Sequence, residues 1–404
     1  PLTECPTAAL QEYTEPRNAE LQYTLGFVEF DEQGQLYDRG QMQALLDYLY
    51  RLAADDDLLM TVFVHGWHHL AKSGDGNIES FRKSLSMLSK LERSDARANR
   101  RKPRRIVGIY VGWRGESVPI EVLNVSTFYE RKNVAQEVGH GGVTELFARL
   151  EEIRDTRENM GGAGGTRGTN RLVIVGHSFG GAVVFSALSQ ILMERFVDTR
   201  GPTGIASTAR GFGDLVILIN PAFEAMQFGT LSNMANERGS YFAEQAPVLT
   251  ILTSETDYAT KYAFWAGRAL STALDKHRTV SRLNKGSGLQ QEIDQGEADR
   301  NTVGHFEPYI THRLDPDTSL EAAEMLQVLD SVRKGWAQDA PGRNIRFRGT
   351  VLKHLDKSVA RNPYLNIQVD KKIIPGHNEI YDPRVLDFLA NLIMLTTTEN
   401  EAVK

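Results

Sequence analysis

Short apolar runs recur along the chain, and each stops at a glycine or a polar turn before a helical pattern begins. Three of them are "LLMTVFVHGW" (58–67), "RRIVGIYVGWRG" (104–115) and "RLVIVG" (171–176), and two more follow at 214–223 and 246–257. Runs of this length, rich in β-branched and aromatic residues, predict strands that are buried on both faces. Because helical patterns separate them, the sequence predicts an α/β fold with a mostly parallel central sheet flanked by helices.

The domain organisation follows from where this alternation starts and stops. Residues 1–20 are polar and predict an N-terminal arm, whereas residues 21–395 predict one α/β domain. Within that domain, residues 258–345 are polar and irregular, and we interpret them as a cap-like insertion. The insertion contains one helical pattern, which Thr318 and Glu321 are predicted to open because they have the spacing of a capping box.

The third strand runs into Gly176-His177-Ser178-Phe179-Gly180, which has the form G-x-S-x-G. A strand before the motif and a helix after it are the context in which its serine is a nucleophile. So tight a turn strains the serine backbone, and the flanking glycines leave room for it. Negative charge is favoured at the following helix N-terminus. We therefore expect Ser178 to be a nucleophile and the N–H of Phe179 to bind an oxyanion; the alternative is an ordinary turn with a chance serine.

A nucleophilic serine needs a base, and the base needs a carboxylate that orients it. With this motif, the acid and then the histidine follow the serine at the ends of later strands. Among the ten histidines, His377 fits best because it follows the last predicted strand, "YLNIQVDKKIIPGH" (364–377). Asp257, just past the fifth strand, is the predicted acid, and Glu255 and Glu224 stay open as alternatives.

A second oxyanion donor is expected from the loop after an earlier strand. The stretch His65-Gly66-Trp67 ends the first of the apolar runs, and Gly66 allows the backbone to turn sharply. The backbone N–H of Trp67 is therefore the predicted partner of the Phe179 N–H.

These motifs together resemble those of the α/β-hydrolase superfamily, and in particular its bacterial esterase- and lipase-like members. The resemblance spans residues 58–395 and is carried by His65-Gly66-Trp67, Gly176-His177-Ser178-Phe179-Gly180-Gly181, Asp257 and Gly376-His377. It implies an eight-stranded sheet, no metal and no organic cofactor. Two departures stand out: the insertion lies between the acid and histidine positions, and the oxyanion loop reads "HGW" where one branch has "HGGG".

The resemblance implies the following roles: Ser178 as nucleophile, His377 as general base and then acid, Asp257 as its orienter, and Trp67 and Phe179 as the oxyanion hole. The implied function is a serine hydrolase that cleaves a small-molecule carboxylic ester through an acyl-enzyme. Lipase, thioesterase, amidase and acyltransferase chemistry use the same site. A non-catalytic binding protein on this fold is the alternative from another class.

Charge, apolar runs and residue spacing argue against several other kinds of partner and site. The net charge of -6 argues against a nucleic-acid partner, and no apolar run approaches the roughly 18 residues of a membrane span. We interpret the basic cluster 97–105 as a solvated loop, and the glycine-rich stretch 161–168 lacks the spacing of a nucleotide-binding loop. The adjacent His68 and His69 lack the neighbours of a zinc site. The compartment and the oligomeric state stay open.

One aromatic cluster has two interpretations. Tyr258, Tyr262, Phe264 and Trp265 begin the insertion directly after the predicted acid. They either line an acyl pocket or pack in the core.

Overall fold

A computed structural model describes most of the chain, and it divides into two compact units. The described residues are 10–15, 18–66, 75–113, 125–160, 170–201, 204–205, 207–265, 268, 275–285 and 288–398. The first unit comprises Pro1–Pro119 and Asn133–Ala187, and the second comprises Ile120–Lys132 and Leu188–Lys404.

Strands and helices alternate from residue 10 to residue 198, as the apolar runs predict, except for two consecutive strands at the start and two consecutive helices before residue 161. In chain order they are β1 (Leu10–Glu15), β2 (Asn18–Phe30), α1 (Arg39–Asp55), β3 (Leu58–Val64), α2 (Gly76–Ala98), β4 (Arg105–Trp113), α3 (Val125–His140), α4 (Gly142–Met160), β5 (Arg171–His177) and α5 (Phe179–Asp198). Part of the segment predicted as an N-terminal arm, residues 1–20, therefore lies in β1 and β2.

The sheet of the first unit is parallel except at one edge. Its described strands have the order β1-β2-β4-β3-β5. The pairs β2–β4, β4–β3 and β3–β5 are parallel, and β1 pairs with β2 antiparallel. All seven residues of β3 are buried, because a central strand of such a sheet is covered on both faces. Phe81 of α2 stacks on Phe63 of β3 with ring centroids 5.4 Å apart.

The second unit continues the α/β pattern and adds small strands. Its elements are β6 (Arg200–Gly201), β7 (Gly204–Ile205), β8 (Leu215–Ile219), α6 (Ala225–Asn236), β9 (Leu249–Ser254), β10 (Thr279–Asn284), β11 (Leu289–Asp294), α7 (Gln295–Arg300), β12 (His312–Pro316), α8 (Met325–Ala337), β13 (Asn344–Phe347), β14 (Thr350–His354), β15 (Tyr364–Val369) and α9 (Pro383–Thr397). The main sheet has the order β8-β9-β15-β12-β14-β13. Its first four strands are parallel, and β14 pairs antiparallel with both β12 and β13.

The α/β class and the mostly parallel sheets with accompanying helices are thus confirmed. Among the described residues the main sheets of the two units hold five and six strands, so neither number is the eight that the resemblance implies. Part of the sheet of the second unit comes from residues 258–345, the predicted cap-like insertion. It supplies β12, which pairs with β15 through His312–Leu314, and part of β13.

The helix within this segment begins later than predicted. Residues 318–321 form a turn in which the N–H of Glu321 donates to the Thr318 carbonyl over 3.2 Å. The helix starts after Glu324, whose side chain and that of Gln327 form the capping box. Ser319 donates its N–H to the side chain of Asp317 over 2.7 Å, and such local bonds compete with a helix start.

The helix α5 has the length and apolar composition of a membrane span. Among the described residues, one helix is long and apolar enough to cross a membrane, and it is α5. Of its most apolar 18-residue stretch, 56% is buried inside the protein. This is weak evidence for a span, because the core helix of a soluble protein passes the same test.

Candidate active site

Ser178 is the single residue between β5 and α5. Its φ is +57°, a left-handed conformation that is uncommon for residues other than glycine. Its carbonyl accepts the first helical bonds, from the N–H groups of Gly181 at 3.0 Å and Ala182 at 3.3 Å. The serine therefore stands at the N-terminus of α5, where the backbone dipoles favour negative charge. Only 4% of Ser178 is exposed.

The glycines on either side of Ser178 are required by close backbone contacts. A Cβ on Gly176 would lie 2.7 Å from the carbonyl oxygen of Gly180. A Cβ on Gly180 would lie 2.2 Å from the carbonyl oxygen of Val64, on the neighbouring strand. These distances are far below a normal contact, so the spacing read from the sequence reflects a steric need.

The loop that follows β3 begins beside Ser178. A Cβ on Gly66 would lie 2.8 Å from the Cβ of Ser178. His65 is fully buried, and its Nε2 accepts the backbone N–H of Trp113 at 3.2 Å. The indole N–H of Trp113 in turn donates to the His65 carbonyl at 2.8 Å, so this loop start is fixed. Trp67, the predicted second oxyanion donor, lies outside the described residues, as do His68 and His69.

Phe179 is the first residue of α5 and is 2% exposed. Its backbone N–H belongs to the first turn of the helix, where N–H groups have no partner within the helix itself. Its side chain is part of the core, so the predicted oxyanion role concerns the backbone alone.

Asp257 and His377 lie together in the second unit although 120 positions separate them. Oδ2 of Asp257 is 2.8 Å from Nδ1 of His377. The carboxylate follows β9 and is fully buried, whereas the His377 side chain is 21% exposed. A histidine held this way has its Nδ1–H directed to a carboxylate and its Nε2 directed away from it, which is the orientation of a general base.

Three further donors hold the Asp257 carboxylate. Oδ1 accepts the N–H groups of Ala259 at 3.0 Å and Thr260 at 3.2 Å, and Oδ2 accepts the Thr260 hydroxyl at 2.6 Å. Burial opposes the charge, but the hydrogen bonds and charge of His377, together with the bonds from Thr260, outweigh it and lower the pKa of Asp257 below its usual value. The carboxylate therefore stays ionised across the neutral range.

The loop that carries His377 is tied down by residues at the ends of two strands. Asn220, which follows β8, donates its side-chain N–H to the His377 carbonyl at 2.9 Å. Ser254 donates to the Ile374 carbonyl at 2.6 Å, and Thr256 donates to that of Pro375 at 2.9 Å. Asn220 has a φ of +45°, which asparagine tolerates better than most residues.

The two alternative acids have other partners. Glu255 accepts a hydrogen bond from Arg313 at 3.0 Å. Glu224 is buried and is paired with Lys132 and, at 3.2 Å, with Arg268. Of the three carboxylates considered from the sequence, Asp257 is the one that the structure places against His377.

Sequence reasoning missed Thr260, Asn220 and His305 as supporting residues. Nε2 of His305 is 3.1 Å from the Thr260 hydroxyl, and burial lowers the pKa of His305 to about 4 despite the charge of Asp257. His305 is therefore neutral near pH 7. The Asn-Pro pair after a buried strand was a usable signal for Asn220; nothing in the sequence pointed to His305.

The basic cluster 97–105 is largely neutralised by acidic neighbours. Arg104 pairs with Glu92 at 2.6 Å, Arg101 pairs with Glu92 and Asp95, and Lys102 pairs with Asp56. A cavity of about 400 Å³ lies here, beside the first residues of β4. Because Ser178 follows the last residue of the parallel strand β5, the cavity is at the opposite end of the sheet.

The aromatic cluster after Asp257 is mostly exposed. Tyr258, Tyr262 and Trp265 are 71%, 54% and 46% exposed, whereas Phe264 is buried. The core-packing interpretation therefore holds for Phe264 and not for the three exposed rings. The glycine-rich stretch 161–168 lies outside the described residues.

Comparison with known proteins adds one weak likeness. No family model matches the sequence, and no curated protein matches it. A solved structure of phospholipase PlaB from Legionella pneumophila, in complex with thio-NAD, matches with 12% identity and a TM-score of 0.25. The match covers 58% of this chain and 48% of that chain, so it spans about half the length of the phospholipase. A TM-score of 0.25 does not establish a shared fold.

Proposed function

We propose that the protein is a serine hydrolase of the α/β-hydrolase type that cleaves carboxylic esters through an acyl-enzyme intermediate. Ser178 is the nucleophile, His377 is the general base and then the general acid, and Asp257 orients the imidazole. The backbone N–H groups of Phe179 and Trp67 form the oxyanion hole.

The observation that carries the proposal is the left-handed conformation of Ser178 between a buried strand and a helix N-terminus. A non-glycine residue in this conformation costs about 1–3 kcal/mol, and such strain is concentrated at functional sites. Two further features support the same interpretation. Gly176 and Gly180 have no room for a side chain, and the buried Asp257 accepts the ring N–H of His377.

The reaction follows from these groups in two halves. His377 Nε2 takes the hydroxyl proton as the Ser178 oxygen attacks the ester carbonyl, and the new oxyanion is held by the two backbone N–H groups. Collapse of this intermediate breaks the bond to the alkoxide, which takes the proton from His377. Water then gives one proton to His377 as its oxygen attacks the acyl-enzyme carbonyl. Collapse of this second intermediate breaks the bond to the Ser178 oxygen, which takes the proton back from His377, and the carboxylic acid is released.

Ester turnover in three variants tests the proposal. We expect the native chain to hydrolyse a short p-nitrophenyl ester, and Ser178→Ala or His377→Gln to lower kcat by about 10³-fold or more. Ser94→Ala is the matched control, because that hydroxyl only donates to the Lys90 carbonyl on the surface of α2. A native chain without turnover above the Ser178→Ala background would favour the non-catalytic binding protein.

Exposed aromatic rings after Asp257 favour esters with long acyl chains as the substrate class. Tyr258, Tyr262 and Trp265 are exposed and lie within the eight residues after Asp257. The rings of Tyr258 and Tyr262 have centroids 5.2 Å apart, and exposed apolar patches mark binding surfaces. If they contact an acyl chain, Tyr262→Ser lowers kcat/KM for a p-nitrophenyl laurate more than for an acetate. Equal loss on both esters would contradict this assignment while leaving the hydrolase proposal intact.

A further inference from the structure

A second group of polar side chains, distinct from the candidate active site, is buried in the second unit. His312 is the first residue of β12 and His354 is the last residue of β14, and the two are directly opposite each other in the antiparallel pairing. Asp339 follows the helix Met325–Ala337. His312 is fully buried, Asp339 is 1% exposed and His354 is 3% exposed.

The three side chains converge on a small volume. Nδ1 of His354 is 3.0 Å from Oδ1 of Asp339, and Nε2 of His312 is 3.7 Å from the same oxygen. The two imidazole rings have centroids 4.2 Å apart. Among the described residues Nε2 of His312 has no hydrogen-bond partner, although a buried polar atom without one destabilises the fold.

Each of the three side chains is held from outside by a polar neighbour. Nδ1 of His312 bonds the Thr311 hydroxyl at 2.9 Å, and Nε2 of His354 bonds the Ser358 hydroxyl at 2.8 Å. Oδ2 of Asp339 accepts the backbone N–H of Arg361 at 3.0 Å. Imidazoles that bind a metal ion nearly always have their second nitrogen fixed in this way.

The charge of Asp339 has no cationic Lys or Arg partner in the described part of the chain. The Arg361 guanidinium donates to backbone carbonyls, including that of Tyr241 at 3.0 Å and that of Asp339 itself at 3.4 Å, and not to the carboxylate. The ionic contacts of this carboxylate are those with the two histidines. A buried carboxylate so placed needs a counter-charge.

We propose that His312, Asp339 and His354 form a buried binding site for a divalent transition-metal ion of the zinc type. Two nitrogens and one carboxylate oxygen are a donor set that Zn²⁺ uses. Two ligands at zinc distances are about 3.4 Å apart in a tetrahedron, and the observed separations of 3.0 and 3.7 Å lie on either side of this value. An ion there would tie β12, β14 and the end of the helix Met325–Ala337 together.

Metal content of the full chain tests the site, with a readout that is independent of ester turnover. After incubation with ZnCl₂ and desalting, elemental analysis should find about one ion per chain, and ZnCl₂ should raise the Tm of metal-stripped protein. His312→Gln should abolish both effects. Co²⁺ in place of Zn²⁺ should give visible absorption bands that the same variant lacks.

A milder variant and a matched control keep the test decisive if His312→Gln does not fold. Ser358→Ala removes only the outer hydroxyl and should weaken zinc binding about 10-fold. His277→Gln alters the other described group of this kind, the partly exposed Asp275, His277 and Asp299, and should leave the content unchanged. Native protein that retains no zinc and shows no Tm change would overturn the proposal. A loss of zinc in His277→Gln as large as the loss in His312→Gln would also overturn it.

Discussion

Replacing Asp257 with asparagine is the sharpest perturbation of the proposed mechanism. Because Oδ1 of Asp257 accepts two backbone N–H groups, the asparagine oxygen must take that place, and its NH₂ group must face His377. Thr260 does not oppose this, since its hydroxyl can accept as well as donate. The NH₂ group then donates to Nδ1 of His377, and the ring proton moves to Nε2, where it blocks proton transfer from Ser178.

The expected loss follows from this change of tautomer. We predict that kcat/KM for a p-nitrophenyl ester falls by about 10⁴-fold, or about 5 kcal/mol of transition-state stabilisation. The side chain keeps its size and its backbone bonds, so the Tm should change little. Circular dichroism on the same samples separates lost activity from lost structure.

Glu255→Gln is the control for this experiment. Glu255 is also near the end of β9, but it pairs with Arg313, and its side chain is 24% exposed. Exposed ion pairs contribute about 0–1 kcal/mol, so turnover should stay within about fivefold. An Asp257→Asn enzyme with near-native kcat/KM would refute the orienting role of Asp257.

Three further predictions concern the supporting structure. Burial opposes ionisation of Glu92, but its partners Arg101 and the buried Arg104 lower the pKa of Glu92 below its usual value. The stabilisation is therefore present above about pH 4.5 and lost as the pH falls through the lowered pKa. Glu92→Gln should lower the free energy of unfolding by about 3 kcal/mol at pH 7, and urea unfolding of this variant should depend less on pH in the acid range. Gly180→Ala should show no cooperative unfolding transition on heating, because the new Cβ would lie 2.2 Å from the Val64 carbonyl oxygen. Gly239→Ala should keep a near-native Tm, because nothing lies within 4 Å of a Cβ at that position. Asn220→Ala should lower kcat about 10-fold with a nearly unchanged KM, because the loop of His377 loses its anchor; an unchanged kcat would contradict this.

The strands that position Ser178 were predictable because burial on both faces leaves a plain signal. Leu58–Val64 is apolar at six of seven positions, and Arg171–His177 contains the apolar run "LVIV" after its first residue. The glycine spacing around Ser178 was also informative, although only the contacts that require Gly176 are local to the turn, whereas Gly180 is required by the Val64 carbonyl of the neighbouring strand. Their common feature is that the sequence signal itself lies within a few consecutive residues.

The sheet edge of the second unit could not be read in the same way. The strands "HRLDP" and "TVLKH" are short and carry charged residues. They are extended because they pair with neighbouring strands, and their own sequence does not indicate this. The capping box was misplaced because Thr318 has the preferred residue type, whereas Glu324 caps the helix without being a favoured cap. Nothing in the sequence associated His312 with His354, because their proximity depends on the register between these two strands.

The most direct test of the central claim is covalent labelling with a fluorophosphonate followed by peptide mapping. We predict a single phosphonate adduct, on Ser178, that forms more slowly in His377→Gln and is absent in Ser178→Ala. A native chain that stays unlabelled, or an adduct on another residue with Ser178 unmodified, would contradict the account.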